Sequence, residues 1–337
     1  MPGMIPFSVL DLSPVPEGLE AGDALRNSAD LAKLADRLGY TRYWMAEHHN
    51  MAGIASAATA VALAHVAQGT RRIRLGAGGV MLPNHAPYLI AEQYGTLAAL
   101  YPGRIDLALG RAPGSDMTAA RAMRRNLDSN GDEFPQDVLE LQRYFEPGQP
   151  GQSLRAVPGE GLKVPLWILG SSTYGAQLAA VLGLPYGFAS HFAPQMMMQA
   201  IQVYRSNFRP SAYLEKPHVM LGLSVVAAET DAEAQFLFSS LQQSFINLRT
   251  GRPGKLPRPV AGFDANLDPR ARAVLAQTLS CAVVGGPAAV RQGLADFVAQ
   301  TGADELMITA NIHDHAARRR SYEIVAAAHP MAMAAAA

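Results

Sequence analysis

The sequence predicts an α/β protein of the (β/α)8 barrel type, with an insertion after the seventh strand. Three observations carry that expectation. Short apolar runs alternate with longer helical patterns along the whole chain. Eight such runs can be counted, and they are apolar throughout rather than alternating, the mark of parallel strands covered on both faces. No Gly-x-Gly-x-x-Gly turn follows the first run, which weighs against the competing doubly wound open sheet.

In chain order the runs fall at residues 5–12, 42–47, 73–82, 104–109, 165–169, 186–190, 219–227 and 306–310. Helices are expected between them at 23–38, 56–68, 88–100, 132–145, 174–182, 194–208, 231–248 and 287–301, with a last one at about 315–328. Boundary residues support these limits. Asp23 and Asp231 can cap their helices, Gly39 and Gly183 sit just past helical runs, and Pro287 suits a first helical position. Two segments break the alternation. Residues 111–131 make a long connection after the fourth strand, and residues 250–268, rich in Gly, Pro and Arg, follow an extra helix after the seventh. Long excursions at the carboxyl ends of barrel strands are often lids, although a surface insertion without a role reads the same way. No solenoid repeat and no linker divides residues 1–330, so one barrel domain is expected there, and the low-complexity residues 331–337 are expected to be a flexible tail.

Composition excludes several functions. With 337 residues, 49% of them hydrophobic, the chain can bury a sizeable core. Lys plus Arg equals Asp plus Glu at 28 each, so neither a nucleic-acid surface nor an acidic tail is indicated. Cys281 is the only cysteine, which rules out a disulfide within the chain and suits a reducing compartment. The start lacks the basic region of a signal peptide, and no apolar run approaches the roughly 18 residues of a membrane helix. A cytoplasmic protein without a membrane partner is the expectation.

The second run ends abruptly in Tyr43-Trp44-Met45-Ala46-Glu47-His48-His49. Ligands bind at the carboxyl ends of parallel strands, and an acid beside two imidazoles offers proton transfer near neutral pH. If extended geometry persists, Glu47 and His49 point one way and His48 the other, so one His can enter a pocket while its neighbour holds a loop. A structural Glu–His hydrogen bond would use the same residues. The third run carries Gly76, Gly78 and Gly79, which mark either a close approach of a flat ligand to bare backbone or tight packing inside the barrel. Arg111, after the fourth run, suits a phosphate or carboxylate, or a neighbouring acid. Gly170-Ser171-Ser172-Thr173-Tyr174-Gly175 follows the fifth run and opens a helix, where free N–H groups attract anions. Ordinary Ser/Thr capping uses the same residues, and Val284-Gly285-Gly286-Pro287 is a rival phosphate turn of nearly equal merit. After the eighth run, Asn311-Ile312-His313-Asp314-His315 offers a His-x-His pair, with Asp314 as a helix cap the simpler reading.

Taken together these stretches resemble the bacterial luciferase-like family of flavin-dependent monooxygenases, in its branch of uncharacterised oxidoreductases. The resemblance rests on residues 8–15, Trp44–His49, 78–83, 104–111, 169–174 and 302–307, in order from near the first residue to about Ala328. It implies a barrel holding FMN at the carboxyl ends of its strands, used as FMNH2 together with O2. By position, His48 matches the active-site His, with Glu47 or a neighbour setting its tautomer. Gly78 and Gly79 match a non-prolyl cis peptide against the flavin ring, Arg111 matches the phosphate-binding Arg, and Gly170, Ser171, Ser172 and Tyr174 match the turn completing the phosphate site. The resemblance thus favours that turn over Gly285-Gly286. It also implies a homodimer, for which the small-residue helix at 56–64 is the candidate surface, and a separate NAD(P)H:flavin reductase, since no nicotinamide fingerprint occurs here. Where the luciferase has a reactive Cys, this chain has Leu107-Ala108-Leu109, so light emission is not expected. The substrate is expected to be small and largely apolar. Three alternatives stand: F420-dependent hydride transfer on the same barrel, a non-catalytic flavin-binding protein, and metal-dependent hydrolysis through His48, His49, His313 and His315. No metal site is expected in the leading reading.

Overall fold

Runs that are apolar on both faces need a covering layer on each side, and a closed parallel sheet ringed by helices supplies it. A computed structural model of the chain describes residues 5–112, 117–123 and 133–329. Among them are nine strands: β1 (Phe7–Asp11), β2 (Arg42–Met45), β3 (Arg74–Met81), β4 (Ile105–Gly110), β5 (Leu166–Gly170), β6 (Tyr186–Phe188), β7 (Val219–Ala227), β8 (Val283–Gly285) and β9 (Glu305–Thr309). All pair in parallel. Strands β1 to β7 and β9 close an eight-stranded barrel, with β9 returning to β1 through Phe7↔Leu306 to Val9↔Ile308. The helices are α1 (Ala21–Leu38), α2 (Thr59–Ala67), α3 (Pro87–Leu100), α4 (Met117–Met123), α5 (Phe134–Tyr144), α6 (Thr173–Leu182), α7 (Met197–Asn207), α8 (Asp231–Arg249), α9 (Pro269–Thr278), α10 (Pro287–Thr301) and α11 (His315–Ala328). None of them is long and apolar enough to cross a membrane.

All eight expected strands are present, and the (β/α)8 architecture holds. Several boundary expectations need correction. Val283–Gly285 is a strand, not a phosphate turn. It pairs with the last three residues of β7 outside the barrel ring. The adjacent Gly286 N–H already donates to Asp231 Oδ1 at 2.7 Å, so a carboxylate of the chain itself occupies the rival anion site. Asp231 therefore does not cap α8; Thr230 does, accepting from the Glu233 N–H. Glu20, not Asp23, is the N-cap of α1, and Asp23 reaches back to accept from the Glu20 N–H. Helix α2 begins at Thr59 rather than 56, because the Ser56 hydroxyl is tied to the carbonyls of Ala46 and Leu12. Gly39 and Gly183 close their helices at φ 82° and 63°, and Asp314 caps α11. The expected tail 331–337 and most of the connection after β4, including Pro113 to Asp116, lie outside the described residues.

Side-chain alternation along the strands splits the core in two. Val9, Tyr43, Leu75, Leu107 and Ile308 face outward onto the helices. Their neighbours Leu10, Trp44, Ala108, Trp167 and Met307 fill the inside of the barrel, where Trp44 and Trp167 meet edge to face at 5.2 Å. Below this plug lies a layer of charge. Asp106 and Glu305 are almost fully buried at the amino-terminal half of the barrel. Arg42 bridges them at 2.7 and 3.0 Å, Arg74 holds Asp106 at 2.6 Å, and Ser8 and His218 complete Glu305. The plug and the charged floor fill the barrel from below, and a cavity opens at the carboxyl ends of the strands.

Candidate active site

At that end lies a cavity of about 630 Å³, within the range of small-molecule sites. Glu47, His48, Gly78, Gly79, Arg111, Gly170, Ser171, Ser172 and Tyr174 all line it. Nine positions expected from sequence thus share one chamber.

The β2 end is built as the alternation expects, although the strand itself stops at Met45. Glu47 and His49 lie together and His48 enters the cavity. Asn50 at φ 55° then turns the chain away. Glu47 is 3% exposed; its Oε1 accepts from Nε2 of both His49 and His85 at 2.7 Å, and its Oε2 from the Met81 N–H at 3.1 Å. Burial works to raise this carboxyl, but the hydrogen bonds from His85, His49 and Met81 outweigh it and hold the group below the usual carboxylate range. Glu47 therefore clamps the β2 end to the β3 end. The ligand atoms of Glu47, His49 and His85 lie within 4.8 Å of one another, close enough for a cation, and they are joined to each other by hydrogen bonds. The four-histidine metal set does not assemble. His313 bonds the Glu17 carbonyl and His315 bonds Asp30, both away from His49.

The Gly78–Gly79 peptide is cis. A Cβ on Gly79 would stand 2.6 Å from the Ala108 carbonyl, and one on Gly78 would strike Leu10 and Trp44. Both glycines border the cavity, so close packing and bare backbone toward a ligand coexist here. Gly76, one turn of the pleat below, is purely a packing glycine, wedged against Asp106 and Trp44.

Opposite, Arg111 lies flat on the Tyr174 ring, its Cζ 4.0 Å from the centroid. Among the described residues no carboxylate pairs with it. Ser172 is the N-cap of α6, its side chain makes no capping bond, and it lines the cavity with Tyr174 and Gly175 of the first turn. These are donors arranged for an anion.

Sequence reasoning missed four further contributors. His85 sits three residues past Leu82, where the third run ends. His191 follows the sixth run at once; burial, with His48 adding to it, pushes its imidazole down to about 4. Thr309 and Asn311 stand at the end of β9. Inspecting every residue just after an apolar run finds His191 and Asn311, but neither Thr309, which lies inside the eighth run, nor His85. The cavity's outer wall is apolar: Leu241, Phe245 and Leu248 of α8 face Met51 and Ile54 across it. Residues 250–268 cross the mouth as a strap. Leu256 exchanges backbone bonds with Val15 and Glu17, Lys255 reaches Leu19 and Glu20, and Gly254 passes so near Gly53 that a Cβ there would overlap its carbonyl.

A family model described as luciferase-like monooxygenase matches residues 5–305. A luciferase-like monooxygenase of Escherichia coli (strain K12) is 53% identical over 320 residues, 95% of this chain and 96% of its own. An N-acetyl-S-alkylcysteine monooxygenase of Bacillus subtilis (strain 168) is 35% identical over 255 residues, 74% and 75% of the two chains. Among solved structures, apo-MsnO8 is similar with a TM-score of 0.85 at 35% identity, over 96% of this chain and 98% of that one. The FMN complex of the oxygenating constituent of a 3,6-diketocamphane monooxygenase of Pseudomonas putida (TM-score 0.76, 18% identity, 97% and 98% covered) shares the fold alone. So does an F420-dependent secondary alcohol dehydrogenase (TM-score 0.64, 15% identity, 96% and 99% covered). With a matching family model over most of its length and a relative identical at half its positions, the chain belongs to the luciferase-like monooxygenase family.

Proposed function

We propose that this protein is a monooxygenase that takes FMNH2 and O2 as co-substrates and oxidises a small, largely apolar organic molecule. One observation carries the reading: a bare-backbone patch at Gly78–Gly79 and an anion-ready corner at Arg111, Ser171 and Ser172 open into the same apolar cavity. A flat ring with a phosphate tail fits that pair of features. Gly78 and Gly79 would back the ring, and Arg111, Gly170, Ser171, Ser172 and Tyr174 would hold the phosphate. The reduced flavin, when bound, supplies the electrons for oxygen activation.

The chain's own residues do the rest. His48 moves a proton at the cavity wall, while Glu47 holds the β2 end on which His48 is mounted. Trp44, Leu10 and Met307 close the floor of the chamber, and the α8 wall and the strap keep water from its mouth. The electrons come from a separate NAD(P)H:flavin reductase. The exposed Val61 on α2 supports a homodimer, readable by sedimentation, and the lone half-buried Cys281 fits a cytoplasmic setting.

The F420 reading uses the same phosphate corner and is separated by the same experiment. The protein is titrated anaerobically with photoreduced FMN and with reduced F420, then mixed with oxygen. Saturable FMNH2 binding, followed by substrate-dependent oxygen uptake in a compound screen, is expected. Binding of reduced F420 alone would replace the reading with hydride transfer, and FMNH2 binding without any substrate-dependent uptake would leave a flavin carrier.

A further inference from the structure

The β6–β7–β9 side of the chamber, across the barrel from Gly78–Gly79, has no assigned task. Three polar atoms there are buried and have no hydrogen-bond partner: His191 Nδ1, Thr309 Oγ1 and Asn311 Oδ1. All three residues line the cavity. Thr309 is 2% exposed. Buried polar atoms without partners are rare, because each forfeits its bond to water, and three on one wall of the chamber are not a random lapse.

The backbone is shaped to keep His191 in place. A Cβ on Gly222 would lie 2.3 Å from His191 Nδ1, so only glycine at that point of β7 leaves room for the ring. Ser190 Oγ donates to the Gly222 carbonyl at 2.6 Å and ties the β6 loop to β7 beside it. Phe192 meets the imidazole edge to face at 4.8 Å. The ring is thus clamped while Nδ1, itself buried, has no hydrogen-bond partner.

We propose that His191, Thr309 and Asn311 form a polar anchor for a neutral carbonyl or hydroxyl group of a ligand held in the chamber. The chemistry is neutral because the wall carries no fixed charge. Thr309 and Asn311 are uncharged, and Lys255, the nearest cation of the strap among the cavity residues, is engaged by Glu20. His191 itself stays unprotonated through the neutral range, so its tautomer is free to choose donor or acceptor at Nδ1. A neutral oxygen of this kind belongs either to the pyrimidine edge of the flavin ring or to the organic substrate.

The proposal rests on the reduced-flavin reading for one of these sources only, and the test separates them. Protein labelled with 15N at its histidines is titrated with FMNH2 anaerobically and, separately, with 2-octanone. His191 is assigned from the signal missing in His191→Gln. Movement of the His191 Nδ1 resonance with FMNH2 supports the anchor and makes the flavin its occupant; movement with the ketone supports it and makes the substrate its occupant. A His191 signal unmoved by either probe overturns the proposal. Failure of FMNH2 to bind at all, read from the flavin absorbance, sinks the flavin reading while the ketone arm still decides the anchor. Thr309→Val, which keeps shape and removes the hydroxyl, should weaken the responsive probe roughly tenfold without altering the circular dichroism of the fold.

Discussion

Two clusters of ionisable groups lie inside one barrel, a layer apart, and they are built on opposite terms. At the floor, Asp106 and Glu305 are held by Arg42 and Arg74, whose charge is permanent, with His218 as an auxiliary. At the mouth, the side-chain partners of Glu47 are His49 and His85, imidazoles that carry charge only when protonated, beside the Met81 N–H. Floor groups find their partners in each other. Around the mouth cluster, His191, Thr309 and Asn311 keep polar atoms with no partner, and Arg111 rests on an aromatic ring with no carboxylate partner among the described residues. The same residue types thus serve stability at the amino ends of the strands and chemistry at the carboxyl ends, as the barrel's geometry allows. Function is located by what is left unsatisfied, not by the presence of charge.

The comparison breaks most visibly at Asp106. Asp106→Ala leaves Arg74 without its carboxylate and Arg42 with Glu305 alone, under the tryptophan plug. A loss of about 3 kcal/mol in urea unfolding is expected, toward the low end for broken buried pairs because Arg74 keeps some solvent. FMNH2 affinity of the remaining folded protein should not change. The mirror-image variant is His48→Ala. It should lower turnover about a hundredfold or more, as removal of a proton-transfer group does, with the unfolding midpoint nearly unmoved. If Asp106→Ala damaged catalysis in fully folded protein, or His48→Ala unfolded it, the division between floor and mouth would be wrong.

That division also explains what could be read in the chain. The eight barrel strands were legible because burial on both faces writes itself as continuous apolarity. Glu47 and His48 were legible because they interrupt it at a strand end. The floor was not, since Arg42, Arg74, Asp106 and Glu305 lie at or near the starts of four different apolar runs, and Arg42 and Glu305 are 263 positions apart. Only the sheet register, with Arg42 beside Arg74 and Gly76 beside Asp106, brings them together. Strand β8 was hidden for another reason: three residues ending in glycine look like a turn, and the Asp231 carboxylate that occupies its glycines comes from 55 positions earlier. His85 is recruited only when the ends of β2 and β3 meet at Glu47, which no local pattern encodes.

A gentler test exploits the titratable partners of Glu47. Its carboxyl lies below the usual range in the folded protein, so the unfolded chain binds the proton more readily. The stability it contributes is complete above the unfolded value of about 4.5 and is lost as pH falls through the lower folded value. Glu47→Gln removes the charged hydrogen bonds and should cost about 2 kcal/mol at neutral pH. The gap between wild type and variant should close on the acid side. A gap that is constant with pH would mean that Glu47 acts through packing and not through its charge, and the contrast with the arginine-held floor would lose its basis.

The smallest effect is expected at Arg111, and it tests the contrast between arginines. Arg42 cannot be exchanged for lysine without disturbing two carboxylates, because its Nε and Nη1 serve one each. Arg111 meets only the Tyr174 face among the described residues, so Arg111→Lys should leave the fold alone. What changes is the planar guanidinium over the Tyr174 ring, which can offer a phosphate two parallel donors where an ammonium offers a point charge. Affinity for FMNH2 should fall roughly tenfold, the scale of one charged hydrogen bond. Affinity for reduced riboflavin, which has the ring and no phosphate, should stay as it was. Equal losses for both ligands would place Arg111 on the ring and not on the phosphate, and the anion corner would then rest on Ser171, Ser172 and the start of α6.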